Sequence, residues 1–599
     1  MRLLLDSQFK IYVICGIVSL GGFMYGYLSD IQHIIRTDPL SLFSFASYDS
    51  GILTSILVYP SFDKKYGFYE DSPAGHAIIS VPLAASFIAS FISGFVADAL
   101  GRKQFLFVAC VIHTLGCIVQ VAGQNTASFF AGRILTGLGV GIFAMLVPLY
   151  QSEIAKPQNR GRLITMYQIF VTFGFCVAFW TGYGTYHIEG ERSWRISLGV
   201  QTIPGGLLLF GIYFIPESPR WLIYKDRTEE ALKILATLRS RGNENDVDMR
   251  MEYTSIVQDV SFDKMAYKHR FLSLLTKGND NNRKRTMLGI GIHTFTQLSG
   301  INAILFYFPH IIESAGISQI YAALLSNGIG GLVNFIATLF VILYIDRWGR
   351  RRILITGALG MTVCMVAITI VSAMFEKALT GKHIENNMSF NTIITSKGGS
   401  ITVTVLLCIF IAIFALSWGP IGWIYPAEIY PQMLRANAMG VTTSCSYLFS
   451  LFIALVSPIM FKNISWRTYL FFACMCLLMG IVVHLFYPET RGRSLEEIQL
   501  IFSGALIDQR PDAHHPATAA EALIQLEHIK HQQQRERLAT QAFDLPVQWT
   551  ISGPHARNDA SSSTSSCKLG STEEIRSTQG HDSIELSHNV NKSHSTSVM

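Results

Sequence analysis

Charged residues are scarce in this sequence. Asp, Glu, Lys and Arg supply 15% of its 599 residues, against about 25% in an ordinary soluble domain. Hydrophobic residues supply 50%, and the mean hydropathy is +0.34. A soluble multidomain protein of this size needs more charge to cover its surface, and a disordered chain contains far fewer apolar residues. The composition therefore excludes both classes and favours a membrane protein.

The sequence also lacks cysteine and histidine spacings that are typical of a metal site. Nine of its ten cysteines lie in apolar runs, and Cys567 lies in a Ser-rich stretch. We interpret them as small buried side chains and expect no metal and no cofactor. The net charge of +6 is modest. Its Lys and Arg form short clusters between apolar runs, which indicates membrane topology rather than nucleic-acid binding.

Twelve apolar runs approach the length of about 20 residues that a helix needs to cross a bilayer. The first run is short, and no cleavage site follows it, so we interpret it as a retained helix. The sequence thus predicts an all-α membrane protein with twelve transmembrane helices. The runs are residues 10–27, 77–99, 104–124, 129–151, 163–185, 196–215, 287–311, 321–345, 352–375, 401–426, 437–461 and 467–487.

Positive charges predict the orientation of these helices. Lys and Arg concentrate after the even-numbered runs, at Arg102, across 217–285 and around Arg350. This bias predicts that both termini and the 217–285 linker, with its short helices, are cytoplasmic. Sequons at Asn387 and Asn463 fall in predicted loops on the opposite side, as glycosylation requires. Residues 503–599 are rich in Ser, His, Gln and Thr, which predicts a mostly disordered cytoplasmic tail.

Three charged signatures occur twice along the chain. Their repetition indicates two related halves of six helices, 1–216 and 286–502, an architecture found in many secondary transporters. The pairs are Asp98-x-x-Gly101-Arg102 with Asp346-x-x-Gly349-Arg350, Glu153 and Arg160 with Glu428 and Arg435, and Pro216-Glu217 with Pro488-Glu489.

We interpret these repeated charges as a gate at the cytoplasmic helix ends. Charges at a membrane boundary are costly unless they are paired or solvated. Pairing would tie neighbouring helices together when that side is shut, and opening would break the pairs. The alternative is ordinary topology-setting charge, which the fixed spacing in both halves disfavours. The gate candidates are Asp98, Arg102, Glu153, Arg160, Glu217, Arg220, Asp346, Arg350, Glu428 and Arg435.

Further motifs carry a family resemblance. They are Gly94-x-x-x-Asp98-x-x-Gly101-Arg102-Lys103, Pro148-x-Tyr150-x-x-Glu153, Pro216-Glu217-Ser218-Pro219-Arg220-Trp221-Leu222, Gln297-Leu298-Ser299-Gly300-Ile301-Asn302, Asp346-Arg347-Trp348-Gly349-Arg350-Arg351 and Pro488-Glu489-Thr490-x-Gly492-Arg493. With them, residues 10–500 resemble a sugar porter of the major facilitator superfamily, similar to fungal hexose and pentose transporters. The resemblance implies the major facilitator fold and transport of a monosaccharide by alternating access, by a chain that we expect to act as a monomer in the plasma membrane.

A neutral sugar needs amides, which donate and accept hydrogen bonds, and an aromatic face for its C–H groups. Gln297 and Asn302 are about 140° apart on a helix, so both reach one cavity only if the helix breaks or neighbouring helices help. Pro420 should bend the tenth helix. The alternative for these amides is simple helix-to-helix bonding. The candidates that match the family's sugar contacts or cavity positions are Gln168, Gln297, Asn302, Asn334, Trp423, Thr296, Gly419 and Phe414.

The chain departs from the family at several of these positions. Thr296 replaces a glutamine, Phe306 replaces a tyrosine, and Ser446-Tyr447 replaces a polar-aromatic pair in the eleventh helix. These departures leave the identity of the sugar open.

The resemblance also implies proton symport. Members of the family that carry out proton symport have an Asp in the first helix beside an Arg in the fourth. The matching residues here are Asp49 and Arg133. An Arg at membrane depth needs a counter-charge, and a carboxylate that takes up a proton would release it.

Residues 27–47 interrupt the family's first-helix motif. The motif begins at Gly21-Gly22-Phe23 and resumes at Tyr48-Asp49-Ser50-Gly51. We hypothesise that this segment is a retained intron, since its length and codons permit one; a genuine insertion is the alternative. As written, the insertion should separate Asp49 from Arg133 and impair transport.

Two other functions remain open from the residues alone. A sugar receptor that signals through its tail would share the same motifs. A membrane enzyme is disfavoured, because the sequence has no catalytic constellation and no nucleotide loop that follows a strand.

The intron hypothesis predicts spliced transcripts. Reads that cross the junction between the codons of Gly26 and Tyr48 should be found in RNA from cells that express the gene. Deep coverage without any such spliced reads would establish the segment as a genuine part of the protein.

Overall fold

The computed structural model describes residues 46–57, 59–67, 73–156, 159–240, 242–266, 270–276, 281–305, 319–378, 392–394, 396–493, 497–498 and 501–502. The first apolar run, residues 27–45, the sequon at Asn387 and the predicted tail lie outside these ranges.

The first half of the chain is built from long apolar helices joined by short turns. Helix α5 begins where the side chain of Asn125 accepts a hydrogen bond from the backbone N–H of Ser128 at 2.9 Å, an N-terminal cap. The helices are α1 (Ala46–Ile56), α2 (Pro60–Tyr66), α3 (Pro73–Leu100), α4 (Arg102–Ala122), α5 (Thr126–Ile154), α6 (Arg160–Tyr186), α7 (Arg192–Val200) and α8 (Thr202–Ile212).

The second half follows a linker of four short helices. The linker contains α9 (Pro219–Tyr224), α10 (Thr228–Arg239), α11 (Val247–Ala266) and α12 (Arg270–Ser273). The second half contains α13 (Asn282–Leu298), α14 (Gln319–Trp348), α15 (Arg350–Phe375), α16 (Lys397–Leu416), α17 (Trp418–Ile429), α18 (Gln432–Ile464) and α19 (Arg467–Phe486).

The twelve-helix prediction is confirmed. Within the described residues, ten spans are long and apolar enough to cross a bilayer, where α7 with α8 and α16 with α17 each form one span. Of the two other predicted spans, 287–311 corresponds to α13, whose described part is shorter, and 10–27 lies outside the described residues. Helix α1 carries the motif that resumes at Tyr48. Outside the spans, β1 (Glu376–Ala378) pairs antiparallel with β2 (Thr392–Ile394). The sequence analysis did not predict this small hairpin.

One expectation about a helix end is wrong, because Asn463 lies exposed in the last turn of α18 and not in a loop. The expected interruption of the tenth helix near Pro420 is present, and it falls at Ser417, between α16 and α17. Because Pro420 has no N–H, the carbonyl of Leu416 loses its helical donor. The hydroxyl of Tyr344 donates to this carbonyl instead.

Small residues allow the long helices to pack closely. A Cβ at Gly137 of α5 would lie 2.5 Å from the carbonyl oxygen of Pro82 in α3. Close packing at a glycine also joins the two halves, because a Cβ at Gly94 of α3 would lie 2.8 Å from the Cα of Asn437 in α18. Side chains at these positions would force the helices apart.

The linker forms its own apolar cluster around Leu222, Leu235 and Met249, and one buried arginine ties it to the first half. Arg239 donates to the Glu252 carboxylate at 2.8 Å and to the carbonyl of Ile154, the last residue of α5, at 3.1 Å. Burial alone would raise the pKa of the Glu252 carboxyl, but the Arg239 guanidinium holds that pKa below its ordinary value. We call the end of the bundle that carries α9–α12 the linker face.

Arg239→Met should destabilise the protein by about 1–3 kcal/mol, because it leaves Glu252 without its partner and frees the linker from α5. Thermal unfolding in detergent and limited proteolysis of the linker measure the effect. The matched control is Arg227→Met, since the Arg227–Glu230 pair is half exposed on both sides and should contribute little. Equal melting temperatures for the two variants would contradict the anchoring role of Arg239.

Candidate functional site

A break in the seventh helix brings two predicted amides together. Helix α13 ends at Leu298, Gly300 has a φ of 86°, and residues 301–305 are helical again. A Cβ at Gly300 would also meet the Phe472 ring at 2.6 Å, so glycine is required there. Across this break Asn302 Nδ2 donates to Gln297 Oε1 at 2.6 Å. The helix thus breaks where the pairing of the two amides requires it.

Two serines of the eleventh helix complete this amide cluster. Gln297 Nε2 donates to Ser446 Oγ, and Asn302 Nδ2 donates to Ser450 Oγ, both at 3.0 Å. The family comparison marks Ser446 only as a departure, and Ser450 was missed entirely. The sequence could have indicated that the two serines act together, because they are four residues apart and therefore share one face of α18.

The second predicted group joins the two halves. Trp423 of α17 donates from its indole Nε1 to Gln168 Oε1 of α6 at 3.0 Å. Gly419 and Phe414 adjoin the same amide, since a Cβ at Gly419 would lie 3.1 Å from Gln168 Nε2 and 3.5 Å from the Phe414 ring. Four of the predicted residues therefore lie in contact at this point.

Two aromatic residues that the sequence analysis missed hold the Trp423 indole edge to face. Tyr167 lies 5.3 Å and His293 lies 5.2 Å from it between ring centroids. His293 is buried in α13 one turn before Thr296. Helical spacing from Thr296 and Gln297 could have identified His293 as a neighbour of the site.

Thr296 and Asn334 are the two remaining predicted residues, and within the described residues neither joins the hydrogen-bonded groups described above. The Thr296 hydroxyl donates to the Ile292 carbonyl of its own helix at 2.8 Å. Asn334 of α14 is buried, and its Oδ1 accepts no hydrogen bond within the described part of the chain. Asn334 therefore accepts no hydrogen bond from Gln168 or Gln297 in the described part of the chain.

Asp49 and Arg133 form a buried ion pair. Asp49 lies in α1, and its Oδ1 is 2.7 Å from Arg133 Nη1 of α5. The expectation that the 27–47 insertion separates them is wrong, because α1 begins at Ala46 and carries Asp49 into the bundle. The guanidinium also lies 5.1 Å from the Phe129 ring, while its Nε and Nη2 have no acceptor among the described residues. The pair therefore supplies most of the compensation for a fully buried cation.

His113 and Cys117 of α4 flank this pair and were missed by the sequence analysis. His113 is fully buried, and both Asp49 and Arg133 lie close enough for their charges to act on its ring and on the Cys117 thiol. His113 Nδ1 is 3.4 Å from Cys117 Sγ. The pair and its titratable neighbours form one cluster between α1, α4 and α5.

At the linker face, the first-half charges form a compact network. Arg102 binds the Glu153 carboxylate through two bonds of 2.7 and 2.9 Å and reaches Asp98 at 3.1 Å. Glu217 accepts backbone N–H groups of Arg102, Lys103 and Ser218. Burial raises the pKa of the Glu217 carboxyl, although these N–H groups lower it in part.

The second half repeats the same pattern. Arg350 binds Glu428 at 2.8 Å and Asp346 at 3.0 Å. Glu489 accepts the backbone N–H groups of Arg350 and Arg351, as Glu217 does for Arg102 and Lys103. The repeated sequence motifs therefore fold into two copies of one arrangement.

Direct contacts join the two networks across the halves. The backbone N–H of Arg162 donates to Asp346 Oδ2 at 3.2 Å, and Gln432 Nε2 donates to Glu153 Oε1 at 3.1 Å. Arg435 donates to the Gln432 amide oxygen. The sequence analysis missed the cross-half roles of Arg162 and Gln432. These bonds hold the halves together at the linker face.

The two remaining gate candidates are also buried at this face. Arg160 begins α6. Arg220 lies in α9, and its charge helps to keep the pKa of the Glu252 carboxyl low. Arg220 thus acts on the linker as well as on the helix ends.

The fold and these sites define a multi-pass membrane transporter with two related halves. Residues 41–502 match the family model described as "Sugar (and other) transporter". The chain is 32% identical over 493 residues to a high-affinity glucose transporter of Kluyveromyces lactis, covering 82% of this chain and 84% of the relative. It is 31% identical to the sugar transport protein MST3 of Oryza sativa, covering 82% and 90%. The chain belongs to the sugar transporter family.

Solved structures share the fold. The proton:xylose symporter XylE bound to 6-bromo-6-deoxy-D-glucose superposes with a TM-score of 0.66 and 22% identity, covering 83% of this chain and 99% of that chain. The inward-open form of XylE from E. coli gives 0.56 and 23%, covering 82% and 99%. Both likenesses show the major facilitator fold, and neither these relatives nor the family are enzymes.

Gly161→Val should abolish cycling without unfolding the protein. A side chain at Gly161 would collide with the Asp346 carboxylate and the Arg350 guanidinium, and separation of the halves at the linker face relieves the collision. We expect uptake to fall at least about tenfold, with faster hydrogen exchange in residues 346–352. Gly184→Val on the same helix is the control, since a Cβ there meets nothing within 4 Å. Wild-type uptake by Gly161→Val would exclude closure through this contact.

Proposed function

We propose that this protein takes up a hexose or pentose together with a proton by alternating access of its two halves. One observation carries the proposal: the Trp423–Gln168 bond joins the halves within a group of neutral amides and aromatic rings. Such a group suits sugar hydroxyls and the apolar face of a sugar ring. Because its members come from both halves, rocking of the halves would assemble and disperse the site.

The amide cluster supports a substrate with several hydroxyl groups. Gln297 and Asn302 each donate to a serine hydroxyl, and Asn302 also donates to the Gln297 amide oxygen. A sugar hydroxyl can replace a serine hydroxyl in such a network without a change in charge. The relatives are named as glucose and sugar transporters, which agrees with a monosaccharide.

Proton coupling is supported by the Asp49–Arg133 pair. Protonation of Asp49 would remove the counter-charge of Arg133 and weaken the contact between α1 and α5. The XylE neighbour is described as a proton:xylose symporter. The alternative of a sugar sensor gains no support from the relatives reported above.

We further propose that the linker face is cytoplasmic, together with both termini, and that the protein acts as a monomer in the plasma membrane. The orientation is supported by the excess of Lys and Arg at this face. In such a cycle, the paired networks of Arg102 and Arg350 would close the cytoplasmic gate.

Gln297→Ala should raise the apparent KM for sugar by roughly 5- to 150-fold, because a buried sugar hydroxyl loses a partner worth about 1–3 kcal/mol. Uptake in a transporter-deficient host, over a panel of glucose, xylose, galactose and polyols, measures the change and the preferred sugar. Gln201→Ala, at a buried amide between α7 and α8, is the control. An unchanged KM for Gln297→Ala would rule out its contact role, and absent wild-type uptake of every sugar would favour the sensor.

Asp49→Asn should abolish protonophore-sensitive uptake but keep sugar exchange across the membrane, because it removes the titrating carboxylate while preserving its shape. His113→Gln is the companion variant, since His113 is, with Cys117, a titratable side chain beside the pair. It should keep protonophore-sensitive uptake. If Asp49→Asn stays protonophore-sensitive and His113→Gln does not, the proton is carried by the histidine and the assignment to Asp49 fails.

A further inference from the structure

A groove between α13 and α19 opens on the side of the bundle near the linker face. Its volume is about 520 Å³, within the range of about 300–1,000 Å³ that small-ligand sites have. Its walls are apolar and include Met287, Phe295, Val482 and Phe486. Met287 and Phe486 are 56% and 54% exposed, so the groove faces the surroundings of the bundle and not its interior. In a membrane protein those surroundings are lipid chains.

The shape of the groove depends on a glycine and a fixed tyrosine. Gly291 lines the floor, and a Cβ there would lie 2.8 Å from the Tyr487 hydroxyl. That hydroxyl donates to the Leu288 carbonyl at 2.8 Å and fixes the Tyr487 ring as a wall. The groove is therefore built into the packing of the two helices.

Two cations stand at the mouth of the groove. Arg283 and Lys284 line it at the start of α13, and both are exposed. Within the described ranges neither side chain forms an ion pair, and no lining residue is acidic. By contrast, the next residue, Arg285, is buried. Its guanidinium donates to the Ile429 carbonyl and lies over the Phe502 ring. Arg283 and Lys284 thus remain exposed at the start of α13, beside the apolar walls of the groove.

We propose that this groove binds an anionic phospholipid. The phosphate and acidic headgroup would contact Arg283 and Lys284, and an acyl chain would lie along Met287, Phe295 and Phe486. Basic residues beside an apolar gap between membrane helices match the chemistry of acidic lipids. The binding is independent of which solute is carried, and only its location in the cytoplasmic leaflet rests on the orientation proposed above.

The test uses the full-length protein in detergent with added phosphatidylserine or phosphatidylcholine, and native mass spectrometry counts the lipids retained. Arg283→Gln with Lys284→Gln removes the headgroup charges. Met287→Trp fills the apolar groove. The matched controls are Arg347→Gln with Arg352→Gln, two exposed cations of the same face, and Met374→Trp, at an exposed membrane-facing methionine. Glycerol 3-phosphate serves as a competitor without chains.

Wild-type protein should retain phosphatidylserine in preference to phosphatidylcholine, and the Arg283/Lys284 pair variant should weaken this binding about tenfold or more. Met287→Trp should weaken it similarly, whereas both controls should leave it unchanged. Equal retention of the two lipids, or equal losses in the groove variants and their controls, would overturn the proposal. Displacement by glycerol 3-phosphate would also overturn it, because the site would then hold a free phosphate. These readouts stand apart from uptake, so a failed transport proposal leaves them interpretable.

Discussion

The architecture depends on buried arginines that must be paired inside a membrane bundle. Arg102, Arg133 and Arg350 have almost no exposed surface, and an unpaired cation at such a position is strongly disfavoured. Each finds a carboxylate on another helix, namely Glu153, Asp49 and Glu428. Each pair therefore fixes the separation and rotation of two helices more tightly than apolar contact between them would.

The same pairs distinguish contacts within each half from contacts between the halves. Arg102 and Arg350 keep their carboxylates within their own halves, whereas Arg162 and Gln432 reach across: Asp346 Oδ2 lies 3.2 Å from the Arg162 backbone N and 3.7 Å from its Nε, and Gln432 donates to Glu153. Separation of the halves would then cost the cross-half contacts and leave the Arg102 and Arg350 pairs intact, in contrast to the expectation from the sequence that opening breaks these pairs. Because the ion pairs within each half are stronger than the contacts between the halves, each half can stay rigid while the boundary between the halves opens.

The sequence predicted the helices and charge networks well because both follow local rules. Hydropathy identified the spans, and the Asp98 and Asp346 motifs repeat at helix ends that fold in the same way. Contacts made through the fold were harder to predict. Ser450, His293 and Gln432 are ordinary helical residues in the sequence, and only packing brings them to Asn302, Trp423 and Glu153.

The two helix breaks were predictable in part. The spacing of Gln297 and Asn302 required a break or help from neighbouring helices, and the structure places a break at Gly300, in the positive φ that glycine accepts easily.

The break in the tenth helix lies at Ser417 and not at Pro420 itself, because a proline acts on the carbonyl four residues before it. That carbonyl, of Leu416, is satisfied by Tyr344 from α14, a partner that is distant in sequence. A break in a membrane helix is stable only where a neighbour satisfies the freed carbonyl, so its position depends on the neighbouring helix as much as on the proline.

The position of Asp49 in α1 also depends on contacts with neighbouring helices. The pairing of Asp49 with Arg133 holds although residues 27–47 precede it, because the motif from Tyr48 onward lies in α1 and packs this helix against α6 and α7. Tyr48 bonds the Ser197 carbonyl, and a Cβ at Gly51 would lie 3.0 Å from Ala178. The insertion therefore leaves the ion pair intact, so an effect of the insertion on transport would not come from separation of Asp49 and Arg133.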